Sequence, residues 1–113
     1  MDIGQGLRQG DVLLIKVAQL PERVREVPRD VDGRLVLEYG EVTGHAHAIL
    51  ERNATKYDIL DAAERIVGQA LVVEDAPVVL THEEHEAHTL EPGVYQRWYQ
   101  TEYDGEEERR VAD

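Results

Sequence analysis

Gln69-Ala70-Leu71-Val72-Val73-Glu74-Asp75-Ala76-Pro77-Val78-Val79-Leu80-Thr81, residues 69–81, decides how the chain is read. Two apolar, β-branched runs, each too short for an independent helix, flank the turn signal Glu74-Asp75-Ala76-Pro77, so the stretch reads as strand, turn, strand. The same grammar recurs on both sides. Upstream, Asp11 to Val17 follows Gly10, and Arg34 to Tyr39 follows Asp32-Gly33 at the end of a polar loop from Pro21 to Gly33. His45 to Glu51 and Thr55 to Leu60 are extended segments, and Val94 to Tyr103 follows the turn Glu91-Pro92-Gly93. Between Asp58 and Gly68 two readings stay open: a short helix capped by Asp58 through Ile59, Ala62, Ala63 and Ile66, or a loop with one helical turn.

About seven short strands with at most one short helix predict an all-β fold, a single small β-barrel or sandwich. The domain is expected over residues 1–103, with 104–113 a polar, mobile tail because Asp104 to Arg110 offers nothing to pack. At 113 residues and 42% hydrophobic, the chain has room for one modest core. With no Phe and one Trp, it has few large core residues. Homo-oligomerisation is therefore expected, to bury further surface. Tyr95, Trp98, Tyr99 and Tyr103 are expected in the core or at a subunit contact.

The net charge of −12 falls entirely after residue 35, since six basic residues balance six acidic ones before it. So acidic a body repels phosphate backbones, and no nucleic-acid partner is expected. No basic leader precedes an apolar stretch and no run approaches membrane-spanning length, so the chain reads as cytoplasmic, with no membrane partner. The absence of cysteine removes disulfides, thiolate metal sites and a cysteine nucleophile, and the absence of serine removes the serine triad.

All five histidines lie in two runs, Gly44-His45-Ala46-His47 and Thr81-His82-Glu83-Glu84-His85-Glu86-Ala87-His88. Imidazole is the commonest metal ligand, and a site needs several such donors from separate segments. On a strand His45, His47, Ile49 and Glu51 share one face, opposite Ala46, Ala48 and Leu50. The third ligand must then come from the second run. His82 ends a strand, while His82, His85 and His88 are three apart and cannot all face one way without a bend. His82 and His88 rank above His85.

His45-x-His47-x-x-x-Glu51, with Pro77 and His82 in a second segment, resembles the two motifs of the cupin superfamily. The match departs at Gly40, one residue too close to His45, and at Asp58 and Val79, where the superfamily has glycine. That resemblance implies a small barrel with a metal held inside by His45, His47, Glu51 and His82, and Fe or Mn oxygenase or isomerase chemistry. A second similarity is to short bacterial proteins without an assigned activity. It rests on Gly40-Glu41-Val42-Thr43-Gly44-His45-Ala46-His47, Thr81-His82-Glu83-Glu84-His85 and Pro92-Gly93-Val94-Tyr95.

Residue chemistry alone points first to a metalloenzyme acting on a small-molecule substrate by hydrolysis or hydration. A divalent transition metal, with zinc foremost and iron or manganese as alternatives, would activate water, and Glu41 or Glu84 would serve as base. The competing class is a non-enzymatic, metal-stabilised structural or protein-interaction module, which a fourth protein ligand would favour.

Overall fold

The computed structural model describes residues 1–42, 44–103 and 108–111. Among them every regular element is a strand: β1 (Gly6–Gln9), β2 (Val12–Val17), β3 (Val24–Val27), β4 (Leu35–Tyr39), β5 (Ala46–Ile49), β6 (Ala54–Leu60), β7 (Ile66–Val73), β8 (Val78–Leu80), β9 (His88–Leu90), β10 (Gly93–Trp98), β11 (Gln100–Tyr103) and β12 (Glu108–Val111). The fold is all-β. Six strands form one antiparallel sheet in the order β1-β2-β10-β7-β6-β3, and β4-β5, β8-β9 and β11-β12 are separate antiparallel ribbons. β1 and β3 remain the edges of the large sheet, so the arrangement is an open sandwich and not a closed barrel.

An isolated bridge, Ala48 to Thr81, joins the β4-β5 and β8-β9 ribbons into a second layer. Its two backbone hydrogen bonds measure 3.0 and 2.9 Å. Between the layers, Val12, Leu14, Leu71, Val73 and Tyr95 of the large sheet meet Leu35, Leu37, Ile49, Val78, Leu80 and Leu90. Alternation produces this core: Val12 and Leu14 are buried with Leu13 turned out, and Val78 and Leu80 are buried with Val79 turned out. β5 is buried on both faces, because Ala46 and Ala48 pack against Val36 behind it.

Several sequence expectations change. The span 58–68 holds neither a helix nor a helical turn but a hairpin: Asp61 Oδ1 accepts the Ala63 and Arg65 amides at 2.8 and 2.9 Å, closing the link from β6 to β7. β3 rises inside the expected Pro21–Gly33 loop as an edge strand paired to β6. Tyr95 is fully buried while Trp98 is 53% exposed. Within the span expected to be a tail, Glu108–Val111 pair with Gln100–Tyr103. Residues 104–107 and 112–113 of that tail lie outside the described residues.

β4 carries the irregularity that matters for the site. Its register with β5 slips between Val36 and Glu38, leaving Leu37 in a bulge. The Leu37 carbonyl is taken instead by Gln69 Nε2 at 2.9 Å and Arg97 Nη1 at 3.4 Å. Arg97, 2% exposed, also reaches Gln69 Oε1 and the Glu38 carboxylate, the latter at 3.1 Å. This buried polar network underlies the cavity described next, and each buried group in it has a partner.

Candidate metal centre

The Ala48–Thr81 bridge fixes the centre. In an antiparallel pair the neighbours of a bridge stand opposite each other, so His47 and His82 face across it and Ala46 faces Glu83. The His47 and His82 ring centroids are 4.4 Å apart, and Glu83 Oε1 accepts the Ala46 amide at 2.9 Å. That hydrogen bond, foremost among the causes, holds the Glu83 carboxyl below the usual carboxylate range. The turn after His82 then brings His85 back, 4.7 Å from His82 and 6.0 Å from His47, and His45 lies 6.1 Å from His82, edge-on.

These four imidazoles line a half-open cavity of about 300 Å³. Gly10 and Asp11, from the β1–β2 turn, form one wall, and Glu38 to Val42 at the end of β4 form another, with Glu84 at the side. His47 is only 5% exposed, and its Nδ1 lies 2.8 Å from Gln9 Oε1. Burial first, then His82 and His85 beside it, push its pKa down to about 4. His82 Nδ1 accepts the Glu84 amide at 3.0 Å, and His45 Nδ1 stands 3.8 Å from Glu84 Oε1.

Three ligands named from sequence thus come together with the two expected bases: His45, His47, His82, Glu41 and Glu84 all line the cavity. Two do not. Glu51 Oε2 accepts the Val79 amide at 2.8 Å, across the β5–β8 side of the layer. Four steps of ~3.3 Å along the chain separate Glu51 from His47, a distance that sharing a face does not close. His88 pairs with Leu80 in β9 and is absent from the cavity lining, where His85 stands instead. The bend that sequence spacing demanded falls between His82 and His88 and selects His85. Gln9, Gly10 and Asp11 carried no ligand-like spacing, although Gly10 marked the turn.

No set of three His, Asp or Glu donors among the described residues already stands in coordinating geometry. The comparison with protein families matches "Domain of unknown function (DUF8820)" to residues 8–100. The chain belongs to the DUF8820 family. The matched span takes in Gln9, Gly10 and all five histidines, so the whole cavity lies within the DUF8820 domain. Neither the search of curated proteins nor the search of solved structures gave a match.

In this DUF8820 domain Gly10 takes φ +58°, and a Cβ there would stand 2.7 Å from His85 Nε2 and 3.3 Å from His47 Cε1. Gly10→Ala is therefore expected to cost about 1–2 kcal/mol for the left-handed backbone and to drive the exposed His85 ring outward. The outcome to look for is a folded protein by circular dichroism whose His85 imidazole resonances shift far more than those of His88. Equal shifts would mean that Gly10 does not touch the cluster.

Proposed function

We propose that the cavity is a divalent transition-metal centre, with zinc the preferred ion and iron or manganese as alternatives, and that it serves hydrolysis or hydration of a small-molecule substrate. The convergence of four of the five histidines, from two separate segments, on one cavity carries this reading. Three imidazoles on a tetrahedral ion, with Zn–N near 2.0–2.1 Å, place their ring centroids about 5 Å apart. His47, His82 and His85 stand at 4.4, 4.7 and 6.0 Å, a spread that side-chain rotation can close.

A bound ion there would lower the pKa of its water toward ~7, making hydroxide available at neutral pH. The chain's own residues supply the remainder. His47, His82 and His85 are the nitrogen donors. Glu84 and Glu41, on the cavity wall, are the candidate bases, and Glu84 also lies near His45. Tyr39 and Val42, 61% and 54% exposed, give the mouth an apolar side against which a substrate can lie.

The second reading, a metal-stabilised non-enzymatic module, draws on His45: as a fourth ligand it would close the shell. The cupin-type set with Glu51 loses support, because Glu51 is engaged with Val79. We read the chain as cytoplasmic and as a homo-oligomer associating through the face around exposed Trp98. Light scattering that gives a monomer mass well above micromolar concentration would overturn the last point.

The test is elemental analysis and zinc calorimetry on tag-free protein. About one ion per chain is expected, with His47→Ala, His82→Ala and His85→Ala each losing at least tenfold in affinity while His88→Ala and Glu51→Gln stay near wild type. Unchanged zinc affinity in the first three variants would refute the centre. Glu84→Gln or Glu41→Gln should keep metal yet lower turnover in a screen of ester, phosphoester and carbon dioxide hydration substrates. No turnover on any of them, with four protein ligands on the ion, would favour the module.

A further inference from the structure

We infer that Gln9 is a positioning residue that locks His47 in the tautomer whose Nε2 carries the lone pair, making His47 the entry ligand of the centre. This deepens the metal reading and rests on it for its consequence, though not for its geometry.

Gln9, the last residue of β1, is 1% exposed. Its carboxamide nitrogen donates to the Leu80 carbonyl at 3.0 Å and to the Glu86 carbonyl at 2.8 Å. An amide NH₂ has two hydrogens, and carbonyls can only accept, so both donors are spent. Flipping the amide would set its oxygen against two carbonyl oxygens in a buried place, an acceptor facing acceptors with no donor. Gln9 Oε1 therefore faces His47 Nδ1, 2.8 Å away, and it too can only accept. The hydrogen must sit on Nδ1. A neutral imidazole has one N–H, so Nε2, the nitrogen left to the cavity, presents its lone pair.

The neighbouring ring is set the opposite way. His82 Nδ1 accepts the Glu84 amide at 3.0 Å, which puts its hydrogen on Nε2. Two imidazoles 4.4 Å apart thus hold opposite tautomers, one offering a lone pair and the other an N–H. His47 can take an ion without rearrangement. His82 must first move its proton and release Glu84, and that order follows from Gln9. The same carboxamide also holds Glu86 on the turn that carries His82 and His85, tying both ligand segments to one side chain.

Nitrogen-15 NMR of the imidazoles in metal-free protein at neutral pH tests this directly. Wild type is expected to show pyrrole-type Nδ1 and pyridine-type Nε2 for His47, and the reverse for His82. A protonated Nε2 or a rapidly averaged pair at His47 would overturn the inference. Gln9→Glu keeps the acceptor and loses both donors; Gln9→Met loses all three. The His47 tautomer should persist in Gln9→Glu and become mixed in Gln9→Met, with zinc affinity 10- to 100-fold weaker in Gln9→Met than in Gln9→Glu. Equal tautomer populations and equal affinities in the two variants would reduce Gln9 to a structural role. A wild type that shows the acceptor tautomer but takes up no zinc would support the hold of Gln9 and defeat the metal reading instead.

Discussion

Gly68→Ala is expected to destabilise the domain strongly. Gly68 lies on β7, paired with Ile59 of β6 and, on the last rung of the β7–β10 ladder, with Trp98. A Cβ there would come within 2.4 Å of the Arg97 carbonyl oxygen and 3.3 Å of the Trp98 Cα. Both are backbone atoms of β10, paired here with β7 itself, so relief at Gly68 must come from prising that ladder apart. Overpacking in a rigid place costs typically 1–3 kcal/mol and more where backbone must shift, so we expect a loss of about 3 kcal/mol or above. That is a large share of the 5–15 kcal/mol typical of a domain. Gly33→Ala is the control: its Cβ would meet open space, leaving only the strain of φ +79°. Urea midpoints at matched slope compare the two. A Gly68→Ala midpoint no lower than that of Gly33→Ala would mean the two strands lie farther apart than described.

Acidification is expected to produce the second large effect. His47 titrates near 4 in the folded chain against 6.5 in the unfolded one, because burial disfavours its charged form. Between these values the unfolded chain binds a proton that the folded chain refuses. The stability tied to His47 is thus fully present above pH 6.5, falls as pH drops through the window to about 4, and levels off below it. The drop across the window is about 3 kcal/mol. Urea unfolding of EDTA-treated protein at pH 7.5, 5.5 and 4.5 reads it, and His47→Gln should flatten the profile across that range. Asp61 and Glu83, whose carboxyls are held low chiefly by backbone amides of Arg65 and Ala46, lose their contributions only at more acid pH, so they do not imitate the effect. A wild-type stability constant from 7.5 to 4.5 would contradict the burial of His47.

Most strands were legible because they are short apolar runs between turn signals. Val12 to Val17 and Val78 to Leu80 are plain cases. β3 was not, since its two valines flank Arg25 and Glu26, and only pairing with β6 makes it a strand. β9 likewise owes its form to β8. At the centre, clustering announced His45, His47 and His82. The choice between His85 and His88 depended on a turn whose path no spacing rule fixes. Glu51 misled because a shared face is a statement of direction, and coordination also demands distance. Gln9 gave no signal at all, a lone glutamine whose importance arises from three partners up to 77 residues away.

The strand order has a consequence for how the molecule is made. β10, which comes late in the chain, is inserted between β2 and β7. Until it arrives, the large sheet exists only as two pieces, β1-β2 and β3-β6-β7, each with an unsatisfied row of backbone groups facing the gap. The last-made long strand is the seam that joins them. Closure of that seam pairs Val94 with Val17 and Tyr95 with Lys16, contacts of very high sequence separation, and such contacts make folding slow. A nascent or nicked chain lacking β10 would expose two sticky sheet edges at once, so aggregation, more than loss of the cavity, is the hazard this topology carries.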